Sequence, residues 1–522
     1  MACMSDVPLR SRFEARRRGV FRRRWVACVV LVVVWAVLYL PHLRTSPGWY
    51  GDETLIHAVS REVVRGVPGH YALWNTFWHP HYPYQPLYSA VCGAFAWVAH
   101  GDLVGSRFFN ALLALGVAMT LSLGGACVAG RLPAWFSALV FLTYSQSIIH
   151  FRMSYVHNAA GLGVLLLVLG LLRPPTRANH VRAGLGLAVA AGAHPLFIYA
   201  GLGALIARIR RPGSWPWLFG PAAAVVGLTL GLVYWRFGGW LFEDLAQLRD
   251  SFTRRGTNDG SGMRGLFNLG RFAFQDLFHA GAMIGLMAAW RRRWRPLCII
   301  GGLVLFLLVR NRSNLVPFYY QAVIVLPTMC LAWGVLFARS TRLLGGLSSP
   351  IRYLLRLLWL IPVTQLVAVL PAVVSGHLLP RNQYWVTQSC AEVDRAAAWI
   401  NERVISDDFV VANPNIAWLL RCKTAPYLQV ITWYGLPTQG YERGNARERF
   451  RYEASLEAAR FAVVGDIDPR WTFGEPNVAI LPERMQREQW PVVWRGEFYL
   501  VLENPTSRAA PGAVAPPIPA NP

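Results

Sequence analysis

The sequence predicts a polytopic α-helical membrane protein of about eleven crossings, followed by a small α/β domain. Three observations predict it. Of 522 residues, 54% are hydrophobic and 15% charged, where soluble chains carry about 25% charged residues. The apolar residues gather in repeated runs with arginines at their ends. From residue 380 onward that pattern gives way to a mixed, globular composition. The formal net charge of +24 would point to nucleic acid in a soluble chain. Here the arginines occupy the positions of charges that orient spans in a bilayer. The 22 tryptophans fit the same setting, because their rings settle at membrane interfaces.

The chain begins with a basic segment, residues 1–24, carrying eight arginines between Arg10 and Arg24. The apolar run at residues 25–40 follows. It has no small-residue cleavage site behind it, so it reads as an uncleaved first membrane helix with a cytoplasmic N-terminus. A long loop, about residues 41–105, comes next, and then a short apolar run at 87–99 within its end. Strong spans follow at 106–128, 133–149 and 156–172. The run 182–209 is broken by His194-Pro195. Later spans are 215–235, 278–290, 296–309, 316–337 and about 353–371, which closes a membrane region of residues 25–375.

Two topologies fit these runs, with the same number of crossings. In one, 87–99 crosses the membrane and 182–209 is a single helix. In the other, 87–99 lies along the surface and 182–209 is a helical hairpin turning at His194-Pro195. Both 87–99 and the halves of the hairpin fall short of the ~20 residues a span needs, so length does not choose. Charge does. The first topology puts Arg131, Arg173, Arg177 and Arg182 outside, whereas the second puts all four inside. Arginine in short translocated loops is disfavoured, so the second is expected.

That choice puts several polar residues on one outer face: Asp52, Glu53, His79, His81, Arg152, His157, Asn158 and His194. A second outer loop, about 236–276, adds Arg249, Arg254, Arg255, Arg264 and Arg271, and a short turn adds Arg310 and Arg312. Outer arginines run against the orientation rule and call for an anionic partner, of which a lipid phosphate is the obvious one. Asp52 and Glu53 stand at the expected start of a helix running from Thr54, where a carboxylate is available as a general base. The alternative is that Asp52 only caps that helix. Each of the other residues has a bland alternative too. His79 and His81, with Glu53, are candidate ligands for a divalent metal or simply interfacial. Arg152 anchors a helix end or binds phosphate. His157 and His194 pack at helix ends or bind substrate, and Asn158 bonds a helix N-terminus or binds substrate.

The region 380–506 reads as a small α/β domain. A helix is expected over 392–404 from the spacing of Val393, Ala396, Ala397 and Ile400, and strands over 409–412, 461–464 and 498–502. The tail 507–522 is Pro/Ala-rich and expected to be disordered. Five of the eight cysteines lie in apolar spans, where Cys behaves as a small hydrophobe, and Cys390 and Cys422 could pair in an extracytoplasmic domain. No zinc spacing and no Gly-rich phosphate loop occurs.

A Gly51-Asp52-Glu53 in the first outer loop, followed by a helix and the proline-rich stretch 79–86, resembles the polyprenyl-phosphate-sugar glycosyltransferases of the C-type fold. That group includes protein O-mannosyltransferases and lipid A aminoarabinose transferases. The stretch from Gly105-Ser106-Arg107 through Gly130-Arg131-Leu132 to Arg152 and Asn158 is similar to the family's second and third spans and second outer loop. Arg310 and Arg312, before Pro317 and Tyr319-Tyr320, resemble its phosphate-binding turn. Many members carry an Asp near the position of Asn158, and this chain departs from that. The resemblance covers about residues 20–340 and implies an inverting transfer. It implies Asp52 as the base, Glu53 as the second acid, and a lipid phosphate held by Arg310 and Arg312 with Arg152, His157, Asn158, His194 or His79 nearby. It further implies a polyprenyl-phosphate sugar donor, a glycan, lipid or protein acceptor, and residence in the inner (plasma) membrane with the C-terminal domain extracytoplasmic.

Two other classes stay in view. A lipid-linked sugar flippase or transporter carries ionisable residues at the bilayer midplane and internal repeats; here the span interiors are nearly free of charge. A non-catalytic membrane scaffold of the same fold would tolerate the loss of Asp52.

Overall fold

The structure is a computed structural model that describes residues 25–49, 51–65, 86–243, 245–246, 262–273, 276–290, 294–309, 323–343, 357, 360–378, 389–438, 447–465 and 468–509. It divides into two compact units. The first takes residues 1–43, 107–226 and 261–378, and the second takes 44–106, 227–260 and 379–522. The helices in chain order are α1 (Trp25–Tyr39), α2 (Gly51–Arg65), α3 (Pro86–Val98), α4 (Leu103–Ala129), α5 (Arg131–Thr143), α6 (Ser145–Phe151), α7 (Val156–Leu172), α8 (Arg177–Ala193) and α9 (Phe197–Arg208). They continue with α10 (Trp215–Phe237), α11 (Gly262–Ala273), α12 (Leu277–Ala288), α13 (Arg295–Val309), α14 (Leu326–Leu343) and α15 (Leu360–Ser375).

Among the described residues, two helical stretches are long and apolar enough to cross a membrane, Leu103–Ala129 and Pro212–Trp235. The pair α5 and α6, bent by 65°, makes a third if it counts as one span. The sequence expected one span over 133–149; the observed bend falls at Tyr144, whose extended backbone interrupts the helix. The span expected over 316–337 appears as α14, with residues 310–322 outside the described residues.

Contacts within the first unit fix the direction of its helices. α4 and α7 run parallel, since Gly116 faces Leu162 and Gly124 faces Leu169. α8 runs back along α7, with Gly163 against Gly186 and Ala190, and Gly170 against Ala183. The chain breaks at His194-Pro195-Leu196, where a proline removes a backbone donor and disfavours helix in the residue before it. α9 then returns, because Arg208 Nη2 donates to the Leu171 carbonyl at 2.7 Å, beside the place where α8 began. The segment 182–209 is therefore a helical hairpin, not one helix. α1 opposes α4: the Trp35 indole donates to the Ala111 carbonyl at 2.6 Å, and Arg107 donates to the Leu43 carbonyl at 3.0 Å. One end of this unit thus gathers Leu43, Arg107, Arg152, His157 and His194. The other gathers Arg131, Arg173, Arg177 and Arg208.

In the second unit, a five-stranded sheet has the order β2-β1-β3-β5-β4. β1 (Phe409–Val411) runs parallel to both β2 (Lys423–Ala425) and β3 (Ala459–Val464). β5 (Leu500–Glu503) lies antiparallel to β3 and to β4 (Val492–Arg495). Helices α16 (Cys390–Asn401), α17 (Pro414–Ala417), α18 (Tyr427–Trp433) and α19 (Ile480–Arg487) accompany the sheet. The core joins Phe409, Val411, Tyr427, Ile431, Leu481 and Trp490. α16 starts two residues earlier than 392–404 predicts, since Ser389 caps it by accepting from Glu392 N at 3.2 Å. The buried Glu392 carboxylate in turn accepts from Phe498 N and Tyr499 N, fixing the approach to β5. Cys390 and Cys422 are both free, in separate buried places, so the pairing considered from sequence is not made. Burial pushes the Cys422 thiol up to about 12.

Candidate functional site

The second unit builds its polar centre around α2. The sequence placed Asp52 just ahead of a helix from Thr54. The helix instead begins at Gly51, so Asp52 and Glu53 both lie inside its first turn. Asp52 is therefore not the cap of this helix, although both carboxylates still benefit from the free N–H groups of that turn. Asp52 and Glu53 are buried, as is every residue from there to Ser60. The polar side chains on this stretch have specific partners. Thr54 Oγ1 donates to the Gly51 carbonyl at 3.0 Å, and Ser60 Oγ to the Ile56 carbonyl at 2.7 Å. His57 lies 2.7 Å from Ser106 Oγ through Nδ1 and 3.1 Å from the Gly101 carbonyl through Nε2. The carbonyl only accepts, so Nε2 carries the proton and Nδ1 accepts from the serine.

Around this turn stand two tryptophans. Trp49 is fully buried, and its indole donates to the Arg44 carbonyl at 2.8 Å. Trp418 meets Trp49 edge-on at 5.3 Å and His57 edge-on at 5.2 Å. Arg61 donates to the Trp418 carbonyl at 3.2 Å. Asn415 of α17 lies against Gly51, with Oδ1 at 3.4 Å from where a Cβ on that glycine would sit. Arg44 binds the support together: it donates to both oxygens of Asp394 on α16 at 2.7 and 2.8 Å, and to Asp102 at 2.9 Å. The Asp394 hydrogen bonds, helped by Asp102 and opposed by burial, hold the guanidinium well above its ordinary pKa.

The first unit gathers the other expected residues. Arg152 is fully buried and donates to the carbonyls of Leu38 (3.3 Å) and Pro41, at the end of α1. Its observed partners are thus those of a helix anchor. Asn158, in the first turn of α7, donates through Nδ2 to Asn110 Oδ1 (2.9 Å) and to the carbonyls of His150 and Met153. His157 and His194 pack ring to ring at 4.4 Å, and His194 Nδ1 accepts from Leu196 N at 3.1 Å. The structure brings Arg152, His157, Asn158 and His194 to one end of their unit, as the hairpin topology requires.

His79, His81, Arg310 and Arg312 lie outside the described residues. Among the described residues, no three His, Cys, Asp or Glu side chains gather as a metal site. Sequence reasoning missed His57, Asn415, Trp418 and the buried Asn110. His57 follows Glu53 by four residues, on the same side of a helix, and that spacing was the available signal. Asn415 follows the end of α2 by 350 positions and left no signal.

No protein-family model matches the chain. No curated protein matches it either. Its fold is the C-type fold of membrane glycosyltransferases, which it shares with solved structures at low sequence identity. One is ArnT from Cupriavidus metallidurans bound to undecaprenyl phosphate, with a TM-score of 0.61 and 16% identity over 93% of this chain and 99% of that chain. The same protein in its apo state gives a TM-score of 0.60, also at 16% identity, over 95% and 100% of the two chains. The Archaeoglobus fulgidus oligosaccharyltransferase, tethered to an acceptor peptide, gives a TM-score of 0.54 and 12% identity over 93% of this chain and 74% of that chain.

Proposed function

We propose that this chain is an inverting glycosyltransferase that takes its sugar from a polyprenyl-phosphate donor. The observation that carries the reading is the buried Asp52-Glu53 pair in the first turn of α2. It sits in a chain that shares its fold with an enzyme crystallised with undecaprenyl phosphate. Asp52 takes the proton from an acceptor hydroxyl. The oxygen then attacks the anomeric carbon, the bond from that carbon to the phosphate oxygen breaks, and the lipid phosphate leaves. Attack opposite the leaving group inverts the anomeric centre. Arg310 and Arg312 neutralise the charge that develops on the phosphate. Glu53 orients the acceptor.

The reading includes about eleven crossings, in the inner (plasma) membrane. The N-terminus and the end bearing Arg131, Arg173, Arg177 and Arg208 are cytoplasmic, and the sheet domain is extracytoplasmic. What supports this is the separation of those arginines from Arg152, His157 and His194 along the helices. The acceptor belongs to the cell envelope, as a glycan, lipid or protein hydroxyl.

The test is a deletion strain whose lipids are read by mass spectrometry. A polyprenyl-phosphate sugar should accumulate, and it should clear on complementation with the wild-type gene but not with Asp52→Asn. Lipid-linked sugars unchanged by the deletion would remove the donor class.

A further inference from the structure

Asn415 is buried in a way that the fold alone does not explain. It is 2% exposed, and among the described residues neither its Oδ1 nor its Nδ2 has a hydrogen-bond partner. Its backbone carbonyl accepts from the Trp418 indole at 3.0 Å. Burying an amide without partners is unfavourable, and folded proteins keep few such groups. A residue serving only to fill this space would be apolar, like its neighbours Ile416 and Ala417.

The location of the amide gives it a use. Oδ1 stands 3.4 Å from the Cβ position of Gly51, the residue immediately before Asp52. Gly51 itself places no side chain against the amide. The indoles of Trp49 and Trp418 flank the same turn. A primary amide offers a carbonyl acceptor and an N–H donor side by side. Two neighbouring sugar hydroxyls present the complementary pair, one donating and one accepting.

We propose that Asn415 binds hydroxyls of the sugar that is being transferred or receives it, so that the sheet domain contributes a binding residue to the carboxylate site. This rests on the glycosyltransferase reading above. The amide stays unsatisfied in the free protein and is satisfied when the sugar arrives. It thereby favours a polyhydroxylated ligand over an apolar one.

Two full-length variants test this, Asn415→Leu and Asn415→Ala, each placed in the deletion strain and each purified. Loss of two neutral hydrogen bonds should lower transfer about ten- to hundredfold in both variants, whichever way Tm moves. Leu keeps the branched skeleton and removes the unsatisfied amide in a somewhat larger volume, whereas Ala opens a cavity, so Tm should be higher in Leu than in Ala. Binding of undecaprenyl phosphate, read as a ligand-induced rise in Tm, should be unchanged in both, since the amide's ligand is the sugar. Transfer that follows Tm, kept in Leu and lost in Ala, would reduce Asn415 to packing. Weakened undecaprenyl phosphate binding in Asn415→Leu would also overturn the sugar assignment. Asp52→Asn run alongside separates the two readings. If it transfers like wild type, the glycosyltransferase reading falls. If it is inactive while Asn415→Leu transfers normally, only the role of Asn415 falls.

Discussion

Asp52 and Glu53 are neighbours in sequence but stand about 100° apart around α2, so they cannot do the same work. A base must reach the acceptor hydroxyl, and Asn at position 52 isolates that requirement. The amide keeps the size of the side chain and can still bond the N–H groups of the first turn, but it cannot accept a proton. Asp52→Asn should therefore lower turnover about 10²–10⁴-fold while leaving Tm close to wild type. Glu53→Gln should cost less in turnover, because an orienting group is partly replaced by an amide. Rates measured on purified protein decide it. Near wild-type turnover in Asp52→Asn would leave the pair with only a dipole-stabilising role. Sequence reasoning found both acids but mistook where their helix starts. Asp at a helix beginning reads as a cap, and Gly51 reads as a break. Burial of Asp52, Glu53 and Thr54 overrides both preferences. Asn415 was illegible for another reason: its role comes from tertiary proximity to Gly51, and no local pattern encodes that.

At the scale of elements, the α7–α8 pair is held by small residues that let two backbones touch. A Cβ on Gly163 would lie 2.5 Å from Ala190 N and 2.6 Å from the Gly186 carbonyl, both backbone atoms that cannot swing aside. Gly163→Ala should therefore destabilise by about 1–3 kcal/mol through overpacking, despite the better helix propensity of Ala. Gly220→Ala is the control, since nothing lies within 4 Å of that Cβ position. Thermal melts of the two variants should diverge, and equal melts would remove the argument that the seam is closed. The sheet domain offers a pH test. Burial pushes the Glu457 carboxyl up, but bonds from the Tyr434 hydroxyl (2.5 Å) and from its own backbone N–H outweigh it. With Arg484 (2.7 Å) adding to them, they hold it down at about 2. A depressed folded pKa stabilises the fold above the unfolded value, near 4.5, and that contribution fades as pH falls toward 2. Glu457→Gln should lower Tm at pH 7, with the gap to wild type closing between about pH 4.5 and 2. A constant gap across that range would mean that the carboxylate charge contributes nothing. Helix and strand positions in this domain were partly legible. β1 and β3 announce themselves as apolar runs. β2, Lys423–Ala425, is three residues long and carries neither an apolar run nor an alternating pattern, so nothing local marks it.

At the scale of the whole chain, the arginines carried more information than the apolar runs. Run length could not decide whether 182–209 is one helix or two. The clustering of Arg131, Arg173, Arg177 and Arg182 could, and the observed hairpin agrees with it. The same asymmetry sets an orientation that labelling can check. Ala178, at the start of α8, is exposed at the arginine-bearing end, and His377, following α15, is exposed near His42 at the end of α1. Ser154 would be a poor reporter, because it is fully buried whichever side it faces. Single cysteines at 178 and 377, in a protein whose native cysteines have been replaced, should therefore differ in intact cells. A membrane-impermeant thiol reagent should modify position 377 and leave 178 unmodified until the membrane is opened. The energetic reason is that translocating arginine in a short loop is disfavoured, and the 178 end carries several such loops while α1 enters from a segment with eight arginines. The reverse pattern would put the end that gathers Arg152, His157 and His194 on the cytoplasmic side, and the proposed envelope acceptor would have to be abandoned.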